Sequence, residues 1–416
     1  MLIKFLKGFF FLFLFGSGLF SQCMLTRTHQ LWFADLELND SVNLYFNFRM
    51  LSGNQKPQME IYNADETILV DELLNTNDSL GFKMPVFDSE LRFKWINRDS
   101  VSGFWINNAR KDKNRLVFAA KQLPIKPVLT CLCRPFSGKW EVTFNPENKT
   151  KTYKAVGIFN DPECWDRIHG TFLTETGDYR YLSGTVYADN GDTTMVLYSF
   201  DGSHTFVFMA RLKPDGIIDG DFYSGANGHE KWFARRNDQF ELRNADSLTF
   251  LKPGYDKLTF SFQDLDGKIV SDTDEKYRGK VLIVQIMGSW CPNCMDETKF
   301  LSGFYNLYSA QGLEVVALAY ERTGDEVKAL NNIQRLKKRF NCKYDFLLAS
   351  VSSDKQATAK TLPELSQIMS FPTTIFIDRK GKVRKISTGF SGPATGLYFE
   401  KYAKETSRFV ARLLKE

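Results

Sequence analysis

Histidine is scarce and confined: this chain of 416 residues holds four, scattered, with none beyond His229. Cysteine is also sparse. Seven residues, an odd number, do not make the disulfide framework of a small stapled fold. Charge of one sign is not in excess, since 54 basic and 49 acidic residues leave only +5 and no segment gathers it into a patch, which argues against a nucleic-acid partner. The densest basic run, Arg335-Leu336-Lys337-Lys338-Arg339, has helical periodicity and reads as a solvated helix face. From Leu31 to about Arg243 no amphipathic helical window of any length occurs.

What is there is the composition of a soluble globular protein, 43% hydrophobic and 25% charged, in a chain long enough for two or three domains. Lys4 and Lys7 precede an apolar run from Gly8 to Phe20, too short for the roughly twenty residues of a membrane-crossing helix. The pattern is that of a secretory signal peptide over residues 1–21, cleaved after Ser21. Cys23 offers the alternative of a lipid anchor, although the residue before it, Gln22, is larger than a lipidation site prefers. Either route places the mature chain outside the cytoplasm, periplasmic or lipid-anchored, where disulfides persist.

Residues 24–243 read as all-β, a barrel or sandwich. Alternation is visible in Val42-Asn43-Leu44-Tyr45-Phe46-Asn47-Phe48, and turn signals recur as Asn190-Gly191-Asp192 and Pro214-Asp215-Gly216. Val86-Phe87-Asp88-Ser89 with Phe93 matches Ser199-Phe200-Asp201-Gly202 with Phe206. Ser102-Gly103-Phe104-Trp105 parallels Asp219-Gly220-Asp221-Phe222-Tyr223, and Val117-Phe118-Ala119 parallels Trp232-Phe233-Ala234. A duplication over 31–122 and 138–236 is expected, against the plainer reading that β proteins reuse turn chemistry. No ligand motif marks this region, and a binding protein with an ancillary second domain is the rival reading of the whole chain.

A linker over 244–256 leads to residues 257–416, where strands and helices alternate. Apolar runs at Val281 to Met287, Leu313 to Ala319 and Thr373 to Asp378 predict strands. Periodic stretches at Glu326 to Phe340 and Gly396 to Leu414 predict helices, giving an α/β sheet covered on both faces. Trp290-Cys291-Pro292-Asn293-Cys294 sits where a buried strand meets a helix. Cysteines three apart on a first helical turn share one face and bridge with little backbone change. The helix end favours an anion, so Cys291 is expected as the exposed nucleophile and Cys294 as the buried resolving thiol. Pro292 suits the first turn. Half of a zinc site is the alternative for this pair, but Cys131-Leu132-Cys133 is too close-set for the usual knuckle and histidines are missing nearby; no metal and no cofactor are expected.

At these residues the chain resembles the TlpA/ResA-like branch of the thioredoxin superfamily, over about Leu258 to Glu416. The resemblance rests on Gly288-Ser289-Trp290-Cys291-Pro292-Asn293-Cys294 and on Phe371-Pro372-Thr373-Thr374. It implies a thioredoxin-like fold and a thiol–disulfide oxidoreductase that reduces protein disulfides and is recharged by an upstream electron donor. It further implies a cis-proline at Pro372, substrate contacts from Trp290 and Phe371, and thiol proton transfer assisted by Glu297, for which a solvated carboxylate like Asp296 is the alternative. One departure stands out. Thioredoxins carry a buried aspartate six residues before the first cysteine, where this chain has Gln285. Peroxiredoxins are the enzymatic rival, but the threonine three residues before their peroxidatic cysteine is replaced here by Gly288. Of Cys131, Cys133 and Cys164 at most one bridge forms, with Cys342 apart from them.

Overall fold

The computed structural model describes residues 31–52, 56–74, 79–110, 114–122, 133–161, 167–189 and 191–416. The signal peptide, Cys23, Cys131 and Cys164 lie outside the described residues.

Alternating apolar residues build the first unit. Its strands are β1 (Leu31–Asn39), β2 (Val42–Ser52), β3 (Pro57–Asn63), β4 (Glu66–Val70), β5 (Glu72–Leu74), β6 (Leu80–Lys83), β7 (Ser89–Asn97), β8 (Ser100–Asn107) and β9 (Arg115–Gln122). They pair in the order β4-β3-β2-β1-β9-β8-β7-β6-β5. Trp32, Ala34, Leu36 and Leu38 of β1 all turn inward, as period-two patterning requires. They meet Phe46, Phe48, Phe93 and Phe118 in one aromatic-rich core.

The second unit holds β10 (Gly138–Phe144), β11 (Tyr153–Asn160), β12 (Arg167–Thr174), β13 (Gly177–Asp178), β14 (Leu182–Asp189), β15 (Asp192–Phe200), β16 (Thr205–Leu212), β17 (Ile218–Ser224) and β18 (Gly228–Arg236). Their order is β11-β10-β18-β17-β16-β15-β14-β12-β13, and a further β11–β12 pairing closes the sheet on itself. This is a barrel, with Phe144, Phe172, Phe208, Phe222 and Trp232 filling its interior. Read from β13 through the closing pair, the order is that of the first unit with every strand number raised by nine. The two units touch closely: Phe200 stacks on Phe46 with ring centroids 4.4 Å apart, and the Asn63 amide donates to the Phe200 carbonyl at 2.9 Å.

Residues 244–256 are not a free tether. Their backbone is bonded to the next domain, Lys252 N–H to Glu364 O at 2.8 Å, and Leu251 forms a bridge with Leu365. The third sheet contains β19 (Ser261–Asp264), β20 (Ile269–Ser271), β21 (Val281–Met287), β22 (Leu313–Tyr320), β23 (Asp345–Ser350), β24 (Thr373–Ile377) and β25 (Val383–Thr388), ordered β20-β19-β23-β22-β21-β24-β25. β21 pairs parallel with β22 and antiparallel with β24. All seven β21 residues are buried, so both faces of the sheet centre are covered. The helices are α1 (Pro292–Tyr308), α2 (Glu326–Arg339), α3 (Lys355–Thr361) and α4 (Leu397–Lys415). No described helix is long and apolar enough to cross a membrane. The basic run on α2 is not wholly solvated as its periodicity suggested: Arg339 Nη2 donates to Leu69 O of the first β unit at 2.9 Å.

Candidate active site

β21 delivers the chain to Gly288, where only glycine fits. A Cβ there would lie 2.3 Å from Trp290 Nε1 and 2.8 Å from Tyr320 O. The bare Cα lets the indole fold back and donate to Tyr320 O at 2.9 Å. Ser289 is fixed from β22's end by Glu321, which accepts from its N–H at 2.8 Å and from its hydroxyl at 2.7 Å.

Cys291 is the N-cap of α1, and its Sγ accepts the Cys294 N–H at 3.3 Å. The sulfur thereby occupies the position at a helix start where a negative charge is favoured. Across the site its thiol donates to Phe371 O at 3.4 Å, and the Phe371–Pro372 peptide is cis. The Phe371 ring meets Trp290 edge-on at 5.6 Å. Trp290, Cys291, Cys294, Phe371 and Pro372 are thus brought together. The expected exposure of Cys291 is corrected: it is only 6% exposed, because the cis-proline loop lies across its sulfur. Cys294 is fully enclosed. Burial, followed by its contact with Cys291, pushes its thiol well above the ordinary range.

Glu297 is fully buried too, not a solvated carboxylate. Gln285 Nε2 donates to its Oε2 at 2.9 Å, Thr374 Oγ1 to its Oε1 at 2.6 Å, and Tyr402 OH reaches Oε1 at 3.4 Å. Burial outweighs these donors and raises the carboxyl to about 7. The departure at Gln285 therefore has a physical account. An amide stands where thioredoxins keep an acid, and it holds the acid that α1 supplies.

Asp296 is not solvated either. It accepts from Arg180 of the second β unit, Nε at 2.7 Å and Nη2 at 3.0 Å. Sequence reasoning missed this and the rest of the segment around it. Thr176 O accepts from Ser370 Oγ at 2.6 Å, Gly177 abuts Asn293, and the Gly392 N–H donates to the buried Asp178 carboxylate. Burial, with the charge of Asp296 adding to it, raises Asp178 to about 7. A Thr-Glu-Thr-Gly-Asp turn carries no catalytic signature, so no local signal betrays these contacts. Elsewhere, Cys342 is a buried free thiol, and the buried Cys133 lies with its Sγ 3.3 Å from Arg167 O. Among the described residues no group of three or more His, Cys, Asp or Glu is placed to hold a metal ion.

Residues 254–398 match the Redoxin family. The thiol-disulfide oxidoreductase ResA of Geobacillus thermodenitrificans is 31% identical over 130 residues, which are 31% of this chain and 66% of that protein. ResA of Bacillus subtilis is 27% identical over 139 residues, 33% of this chain and 69% of that one. The chain thus spans about two thirds of the length of these relatives. A thioredoxin-family thiol:disulfide interchange protein from Chlorobium tepidum TLS is 20% identical, covering 38% of this chain and 95% of its own, with a TM-score of 0.30.

Proposed function

We propose that this chain, whose C-terminal region is a Redoxin domain of the thioredoxin type, is an extracytoplasmic thiol–disulfide oxidoreductase that reduces protein disulfides through Cys291 and Cys294. The observation that carries the reading is the Cys291 sulfur, set at a helix start and bonded to the Cys294 N–H.

Cys291, as thiolate, attacks one sulfur of a substrate disulfide and releases the other as a thiolate. Cys294 then attacks Cys291 in the mixed disulfide, freeing the substrate's second thiol and leaving a Cys291–Cys294 bridge. Its high thiol pKa means that the second attack needs a proton acceptor, and Glu297, near neutrality, is matched to that task. Trp290, Phe371 and Pro372 line the substrate side. An upstream donor returns two electrons to the bridge.

The remainder of the reading concerns organisation. Residues 1–21 are the export signal, with a Cys23 lipid anchor as the variant of it. Residues 24–243 are a duplicated β module, supported by the shared strand order and by the three matched motifs, the first leading into β7 and β16 and the others lying on β8 and β17 and on β9 and β18. Residues 244–256 join it to the redox domain at 257–416.

Trapping tests the chemistry. Cys294→Ser is expected to accumulate covalent adducts with disulfide substrates through Cys291, and Cys291→Ser to form none. Adducts mapped to Cys294 in the Cys291→Ser protein would reverse the two roles.

A further inference from the structure

The dithiol is walled on one side by the second β unit. The turn between β12 and β13 meets three loops around the cysteines. Gly177 sits against Asn293 between the two cysteines, where a Cβ would stand 2.5 Å from Oδ1. The carbonyl of Thr176 takes the Ser370 hydroxyl next to the cis-proline loop. A Cβ on Gly389 would lie 2.9 Å from the Thr176 carbonyl carbon, and the Asp178 carboxylate holds the Gly392 N–H. Backbone packed this tightly leaves no room on that side for a substrate chain.

The opposite side is different in kind. The exposed Arg322 lies flat on Trp290, its guanidinium carbon 3.2 Å from the ring centroid. Its Nε donates to Ser353 Oγ at 2.8 Å, and the exposed Lys355 donates to Met369 O, so neutral groups hold both cations. The neighbouring Glu321 is buried and engaged with Ser289. Arg322 is within electrostatic reach of both cysteines and of Lys355. Stacking on an indole leaves a guanidinium's in-plane N–H groups pointing outward, and with Nε held by Ser353 the two terminal nitrogens form the fork that suits a carboxylate.

We propose that Arg322 and Lys355 make this site selective for disulfides bearing a carboxylate close to the sulfur–sulfur bond, and that the β12–β13 turn obliges them to arrive over Trp290. The inference rests on the dithiol reading above. In a single turnover the reduced protein and one disulfide give the Cys291–Cys294 bridge and two substrate thiols, so electrons and protons balance without a further reagent.

The test uses the full chain, reduced and freed of reductant, mixed with three small disulfides of similar size. These are dithiodipropionate, hydroxyethyl disulfide and cystamine, which are anionic, neutral and cationic. Protein thiol loss is followed after acid quench, and each rate is divided by that of dithiothreitol with the same compound. The anionic disulfide is expected to exceed cystamine by about tenfold or more at low salt, roughly 1.4 kcal/mol. The ratio should fall towards one in the Arg322→Gln/Lys355→Gln protein and in molar salt. A wild-type ratio near one, or a preference that survives the double substitution, overturns the inference. Failure of all three compounds to oxidise the protein overturns the dithiol reading instead.

Discussion

Under the proposed mechanism, Glu297 links redox chemistry to pH. In the unfolded chain it titrates near 4.5; folded, near 7. Between those values the native state keeps a proton that the unfolded state has lost, so stability falls as pH rises and the full cost is present above 7. Glu297→Gln removes that dependence. From pH 5 to pH 8, denaturant unfolding should show the variant gaining about 3 kcal/mol relative to wild type. The same variant should slow the Cys294 step about 100-fold or more while Cys291 is alkylated at nearly its normal rate. An unchanged Cys294 step would leave Glu297 a structural acid. Spacing put the two cysteines and Glu297 on one helix face, because positions i and i+3 are neighbours there, while the role expected of Glu297 came from the family resemblance. Arg322, Asp178 and Arg180 were not readable in that way, since each reaches the site from an element distant in sequence.

At the scale of elements, patterning succeeded where it was long and failed where it was short. β21 and β22 are apolar runs broken by one polar residue each, Gln285 and Glu314, and α2 and α4 run long enough for periodicity to show. β23 and α3 went unread. β23 follows closely on α2 through a turn at Asn341, whose φ of 48° ends the helical segment, and α3 spans only seven residues, two turns without a readable stripe. The β12–β13 turn was equally silent, yet it positions the site. Gly177 adopts a φ of 137° and leaves no space for a Cβ, so Gly177→Val should strain the turn and push it from Asn293. Thermal unfolding should register about 1–3 kcal/mol, and alkylation of Cys291 should become faster as that wall withdraws. Unaltered alkylation in a destabilised protein would mean that the turn braces the domains without screening the thiol.

For the whole molecule, Arg180 is the point at which three units meet. It is 1% exposed and bonds Glu66 of the first β unit, Asp201 of the second at 3.0 Å and Asp296 of the redox domain. A buried cation removed from such a cluster leaves carboxylates facing one another, at a cost of about 3–5 kcal/mol. Arg180→Met should therefore uncouple the units, and scanning calorimetry should resolve a redox-domain transition separate from that of the β module. Asp296→Asn, which keeps the arginine, should show a milder form of the same splitting. One undivided transition in both variants would deny Arg180 this role. The division into β-rich and α/β regions was legible because strand and helix periods differ. The docking was not, because Tyr179-Arg180-Tyr181 looks like any strand-end turn.

Tyr402 and Glu297 stand 105 positions apart in the chain. A ribosome completes residue 297 well before residue 402, and a translocation channel that takes the N-terminus first releases them in the same order. Through that interval the nascent chain already carries both thiols, while α4, which brings the tyrosine hydroxyl to the carboxylate, is still to come. On the proposed roles of Cys291, Cys294 and Glu297, the site would be complete only once α4 has been made, after the β module that walls it.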